Sequence, residues 1–440
     1  MSGILSNRTY RHLLGAQVIA LVGTGLATVA LGLLAFELAG DDAGIVLGTA
    51  LTIKMIAFVA IAPVASALSA KLPRRGLLVC LDLVRAGVAL SLPFVTEVWQ
   101  IYILIFVLQS ASAGFTPAFQ ATIPDVLPDE KDYTKALSLS RLAYDLESLV
   151  SPVLAAALLT VMSFHSLFAG TAVGFIASAA LVVSVTLPAR RASETQSFAD
   201  RLTRGLRVFL ATPRLRGLLA VSAAVAASGA MVIVNTVVMV QGSYGLSQSA
   251  TALALATYGG GSMTAALLLP RILGRFTDRA TMLTGIALLV PGLAAGIFVP
   301  NYSLMLPVWF VLGFGYSMAQ TPSGRLLRRS SNDDDRPALF AAHFALSHAC
   351  WLVTYSLAGW LGATAGIPAT FAILGGLTAA AVVAALNVWP VSDPENLAHS
   401  HRELDSDHPH WGDGSPKAEG VHSHSFVIDK LHRKWPVPAK

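Results

Sequence analysis

The chain has 440 residues, of which 54% are hydrophobic before its 36 glycines are counted and only 12% are charged. Soluble domains carry about 25% charged residues, and a mean hydropathy of +0.64 leaves too little polar surface to cover a water-soluble globule. This argues against a soluble enzyme, a disordered chain or a nucleic-acid-binding protein; the net charge of +5 sits in short connections between apolar runs.

Crossing a bilayer takes about 20 mostly apolar residues. In chain order such stretches fall at 13–38, 44–69, 76–95, 99–119, 136–162 and 165–187, then at 216–240, 249–270, 280–299, 303–323, 338–362 and 366–389. The first span is too long for a signal h-region and has no cleavage signature after it, so it reads as a retained helix. The expected fold is an all-α membrane protein with twelve transmembrane helices in two six-helix pseudo-symmetric halves. The N-terminal half covers 1–187, a central loop 188–215, the C-terminal half 216–390 and a tail 391–440. Cys80 and Cys350 lie in apolar stretches, so neither a disulfide framework nor a cysteine zinc site is expected.

Basic residues set the expected orientation. Arg8 and Arg11 precede span one, Lys71, Arg74 and Arg75 follow span two, and Arg190, Arg191, Arg201, Arg204, Arg207 and Arg214 follow span six. Later even-numbered connections carry Arg271, Arg275 and Arg279, then Arg325, Arg328, Arg329 and Arg336, whereas the six connections on the other side contain no Lys or Arg. Both termini are therefore expected in the cytoplasm.

Spans four and ten repeat one pattern, Phe106-Val107-Leu108 to Thr116-Pro117 and Phe310-Val311-Leu312 to Thr321-Pro322. Spans five and eleven repeat another, Ala136-Leu137 with Arg141 against Ala338-Leu339 with His343, at a similar offset of 202 to 205 residues. Two six-helix halves joined by a basic central loop resemble the major facilitator superfamily over residues 1–390. That resemblance implies halves that rock about a midplane substrate site. The family's short signature between spans two and three usually holds an acid; here Ala70 stands in its place, while the second copy keeps Asp278. The missing acid calls into question the latch of the N-terminal half.

A charge at the bilayer centre costs about 2.5–3.5 kcal/mol on insertion scales, so each needs a partner or a wet cavity. Lys54 lies deep in span two. Asp82 and Arg85, at i,i+3 on span three, read as a structural ion pair. On span five, Arg141 and Asp145 share a face at i,i+4, and Glu147 points away from them toward a cross-helix partner, for which Lys54 is the candidate. Such a Lys54–Glu147 pair is either a packing bridge or a proton-coupling element. On span eleven, His343, Ser347 and Cys350 share one face, and His348, Trp351 and Tyr355 another. His343 and Cys350 are two turns, or ~10 Å, apart, so a closed metal site there needs ligands from a second helix. Either histidine is also suited to relay protons.

After Pro390 the composition turns polar, and residues 391–440 hold seven of the chain's eleven histidines. His399 and His401, His408 and His410, and His422 and His424 form three His-x-His units; His432 stands apart. In an extended segment, i and i+2 side chains share a face about 6–7 Å apart, which favours a flexible metal-binding segment over a helical site. Neutral imidazole suits nickel, zinc and copper.

The stretches Arg141-Leu142-Ala143-Tyr144-Asp145-Leu146-Glu147 and Phe344-Ala345-Leu346-Ser347-His348-Ala349-Cys350-Trp351, together with the His-x-His tail, resemble nickel-resistance exporters of the NreB type. The resemblance implies a bacterial inner-membrane exporter of Ni2+, with Co2+ a second cargo, driven by proton antiport. Its expected partners are the bilayer, the metal ion and protons, with no nucleic acid. No tightly bound cofactor is expected beyond tail-bound Ni2+, Co2+ or Zn2+, and a monomer is the expected state. No Walker A pattern is present, so ATP is not expected as the direct driver. The competing readings are a drug or siderophore exporter of the same fold and a membrane-anchored metal sensor or store. No nucleophile–base pair supports an enzyme.

Overall fold

The computed structural model describes residues 2–40, 43–69, 72–188, 197–394, 396–401, 411, 421–429, 431–432 and 434–436. Its first six long helices are α1 (Arg8–Ala39), α2 (Ala43–Leu68), α3 (Arg74–Ser91), α4 (Val98–Val126), α5 (Glu130–Leu159) and α6 (Phe164–Val183). A shorter helix, α7 (Phe198–Ala211), precedes α8 (Pro213–Val237), α9 (Gln248–Ile272), α10 (Asp278–Ile297) and α11 (Tyr302–Gln320). A two-turn α12 (Ser323–Arg329) then leads to α13 (Arg336–Thr364) and α14 (Ile367–Val388).

Eleven of the described helices are long and apolar enough to cross a membrane. The twelfth crossing is α5, whose 30 residues include Arg141, Asp145 and Glu147 among other charges; at 1.5 Å per residue it is about 45 Å long. It begins six residues before the expected span, because Asp129 caps it by accepting from the Asp132 backbone N–H at 2.9 Å.

The two halves are built alike. In the first, α1 packs on α5 and α6, α2 on α4, and α3 on α4 and α6. In the second, α8 packs on α13 and α14, α9 on α11, and α10 on α11 and α14, which is the same scheme pair for pair. The halves meet where α5 packs on α9 and α13 on α2, again a matched pair. Within the second half Gly261 and Gly313 let α9 and α11 approach so closely that a Cβ on either would collide with the other helix's carbonyl. The repeated Thr-Pro diverges: Pro117 stays inside α4, whereas α11 stops at Gln320 and Pro322 opens α12.

Two segments depart from the sequence expectation. Residues 188–215 were expected as a loop, yet α7 forms inside them, and it packs on α13 and α2, touching both halves. Its Gly205 lies against the Ala338 carbonyl, where no Cβ fits, and Phe209 is fully buried. The tail was expected as a flexible segment; its described part is an antiparallel hairpin of β1 (Asn396–Ser400) and β2 (Val421–Ser425), pairing His399 with His422 and Leu397 with His424. Phe426 and Ile428, just beyond β2, are buried in the core of the second half.

Candidate transport cavity and histidine cluster

A cavity of about 510 Å³ lies between the halves. The first half presents Lys54, Arg85, Arg141, Tyr144 and Glu147 to it, and the second presents Tyr316, His343, Ser347, His348 and Trp351. The charged lining residues all come from the first half and both imidazoles from the second, with aromatic rings on either wall. Cys350 does not line the cavity and is half-buried.

The charged wall is internally organised. Arg141 donates from Nε to Asp145 Oδ1 at 3.0 Å and from Nη1 to the Tyr316 hydroxyl at 3.1 Å, which ties α5 to α11 of the other half. Ser262 on α9 donates to Asp145 Oδ2 at 2.7 Å, a second tie across the same seam. Lys54 and Glu147 lie in each other's electrostatic field; no ion pair joins them among the described residues, and Lys54 Nζ stands 5.6 Å from the Phe58 ring centroid. Asp82 pairs with Arg85 and accepts from Ser178 at 2.8 Å, with the Arg85 guanidinium between Phe115 and Phe175.

On the opposite wall His343 stacks on Phe209 of α7 with ring centroids 6.1 Å apart. His348 donates from Nδ1 to the Phe344 carbonyl at 2.7 Å and packs edge-on against Phe58 of α2. The structure thus brings both histidines to the cavity but leaves Cys350 apart.

Ion pairs tie the halves together at the end where α1, α5 and α13 begin. There Asp125 at the end of α4 pairs with Arg74 of α3 and with Arg336 of α13 in the other half. Arg325 of α12 pairs with Asp278 at 2.7 Å and with Glu130 across the seam. Arg328 bonds the Pro128 carbonyl and lies over the Tyr133 ring, and Arg204 of α7 makes a two-pronged bond to Asp335 at 3.0 and 2.8 Å. Sequence reasoning flagged Asp278 and the arginines but missed Asp125 and Glu130, which sit at helix ends where an acid looks like ordinary loop polarity.

At the same end the tail gathers its histidines. Ligand nitrogens of His399, His401 and His432 lie within 4.8 Å of one another, as do those of His399, His422 and His424. His408 and His410 lie outside the described residues. His432 was not singled out from the sequence because it belongs to no His-x-His unit; an Asp three residues before it was the available signal. Burial, with the His422, His432 and His424 imidazoles, pushes His399 down to about 4 against its bond to the Leu397 carbonyl. Burial alone would raise the Asp429 carboxyl, but hydrogen bonds from the His432 side chain and backbone overcome it and hold it at about 2. The cluster is docked: Asp393 pairs with Arg214 at 3.2 Å and with Arg329 of α12, and Arg214 also reaches the Phe426 carbonyl at 3.4 Å.

The sequence profile described as Major Facilitator Superfamily matches residues 13–276 and again 218–431, so the second half is matched by itself as well. The chain belongs to the Major Facilitator Superfamily. It is therefore a membrane-embedded transporter and not an enzyme. Among superfamily relatives it is 23% identical over 381 residues to an uncharacterized transporter, YfiS, of Bacillus subtilis, covering 82% of this chain and 89% of that protein. It is 24% identical over 203 residues to macrolide efflux protein A of Streptococcus pyogenes, covering 45% of this chain and 49% of that protein. Solved superfamily folds superpose along nearly their whole length. The human organic anion transporter MFSD10 gives a TM-score of 0.75 at 14% identity, over 86% of this chain and 99% of that one. A bacterial homologue of the iron transporter ferroportin, in an outward-facing state, gives 0.73 at 12% identity over the same shares.

Proposed function

We propose that the protein is a secondary active exporter of divalent transition-metal ions, Ni2+ first and Co2+ second, driven by proton antiport across a bacterial inner membrane. The observation that carries this reading is the set of imidazoles docked at the latch end of the transporter. Neutral imidazole nitrogens select late first-row divalent ions. The excess of Lys and Arg at that end supports placing it, with both termini, in the cytoplasm. The tail then collects the ion on the side from which it is removed, and the cavity receives it when the latch opens. His343 and His348 offer nitrogen ligands on one wall, while Lys54 and Glu147 on the other exchange a proton as the cavity changes sides.

A second reading, export of an organic compound, is favoured by the cavity itself. Its volume of about 510 Å³ falls within the ~300–1,000 Å³ of drug-sized sites, and macrolide efflux proteins are among the relatives.

Everted vesicles containing the full chain separate the two. The expected result is Ni2+ or Co2+ uptake under an imposed acid-inside gradient, abolished by Glu147→Gln with the variant still in the membrane. Macrolide uptake without metal uptake would replace the metal reading with the organic one, and normal transport by Glu147→Gln would remove that residue from the mechanism.

A further inference from the structure

We propose that His399, His401 and His432 hold one divalent ion of the nickel–cobalt–zinc class, with Asp429 orienting His432, and that this ion fastens the tail onto the latch. The proposal rests on the metal-binding tail of the reading above, and not on what the cavity carries.

Hydrogen bonds from Nδ1 fix the tautomers. His432 Nδ1 lies 2.9 Å from Asp429 Oδ1; a carboxylate only accepts, so the proton is on Nδ1. His399 Nδ1 lies 2.9 Å from the Leu397 carbonyl oxygen, which fixes that ring the same way. With Nδ1 donating, each ring turns Nε2 to its neighbours as the acceptor or ligand atom. The two Nε2 atoms face each other at 2.9 Å, and His401 Nε2 is 3.0 Å from that of His432. Lone pairs at this spacing repel unless they share a cation. A proton joins two rings, whereas a metal joins three: at Zn–N bonds of ~2.0–2.1 Å, tetrahedral ligand nitrogens are roughly 3.4 Å apart. A carboxylate behind a ligating imidazole is the partner that fixes its tautomer and raises its basicity.

The same ion has a mechanical effect. A two-stranded hairpin is marginally stable by itself, and β1 and β2 share only five pairs. A bond from His399 in β1 and His401 just after it to His432, beyond the end of β2, ties the chain that follows the second strand back onto the first. On the chain before β1, Asp393 grips Arg214 and Arg329; beyond β2, Phe426 is buried and Trp435 lies under Arg214. Arg329 shares the short α12 with Arg325 and Arg328, the residues that join the halves. Metal occupancy is thereby coupled to the element that closes the transporter.

The test uses the purified full-length protein in detergent, titrated with Ni2+, Zn2+ or Co2+, with bound metal counted by equilibrium dialysis and ordering followed by hydrogen exchange. Metal should protect residues 396–401, 421–432 and α12 from exchange. His432→Ala should weaken the first bound ion by roughly 10–100-fold and remove that protection, while the His422→Ala/His424→Ala double variant keeps affinity within about threefold. Asp429→Ala should weaken binding about tenfold and shift the visible absorption of bound Co2+, which a purely structural loss leaves alone. His432→Gln repeats the first arm if the alanine variant fails to fold. Wild-type affinity in the His432 variants, or a larger loss in the His422/His424 pair, would overturn the assignment. So would a wild-type chain that binds no ion, leaving a shared proton only. These measurements involve no transport, so a chain that passes them yet moves no metal in vesicles loses the export reading and keeps this site.

Discussion

The two inter-half latches solve one problem with opposite charge arrangements. In the first, Asp125 stands between two arginines, Arg74 and Arg336, of which Arg336 also pairs with Asp333 on its own side of the seam; in the second, a single arginine, Arg325, stands between two acids, Asp278 and Glu130. The duplicated halves thus conserve the location of the fastening but not its polarity. The superfamily's short signature keeps its acid only in the second copy, and in the first the acid comes instead from the last turn of α4. The surroundings differ too. All three partners of the first latch are largely shielded, with Asp125 at 13% and the arginines at 7% and 8% side-chain exposure, whereas Glu130 is 64% exposed.

Removing the central residue of each latch measures this difference. Asp125→Ala strands the shielded Arg74 and leaves Arg336 only its bond to Asp333 at 2.8 Å; breaking a buried pair costs about 3–5 kcal/mol. The expected result is the largest fall in melting temperature and the greatest labelling of engineered cysteines at the terminus-bearing end. Arg325→Ala strands only Asp278, because water already solvates Glu130; its expected cost is roughly 1–3 kcal/mol. If Arg325→Ala proved the more damaging, the asymmetry between the latches would be reversed. Arg328→Ala removes one bond to the Pro128 carbonyl and a cation–π contact with Tyr133, for an expected loss of about 1 kcal/mol. Labelling indistinguishable from wild type in all three variants would mean that the seam contacts of Arg141 and Ser262, not the latches, hold the halves together.

The crossings, their grouping into halves and the composition break at Pro390 are legible in the sequence because each is a local hydropathy signal. The start of α5 is partly legible, through its Asp129 cap, yet the charges that follow disguise it as a connection. What escaped is non-local. Nothing in residues 188–215 says that the amphipathic α7 will lie across both halves, and nothing near Asp125 announces partners on α3 and α13. The tail is the clearest case: the histidine spacing is visible, but pairing β1 with β2 and adding His432 requires contacts across more than twenty residues, with docking on Arg214 farther still.

Phe209 gives the central connector a role beyond tethering. Its fully buried ring stacks on His343, which lines the cavity, so the segment joining the halves touches the transport route through that imidazole. Because α7 packs on both α13 and α2, a parting of the halves at this end changes the surroundings of that ring. A fluorine label on that ring would therefore sense each stroke of the carrier from its resting seat.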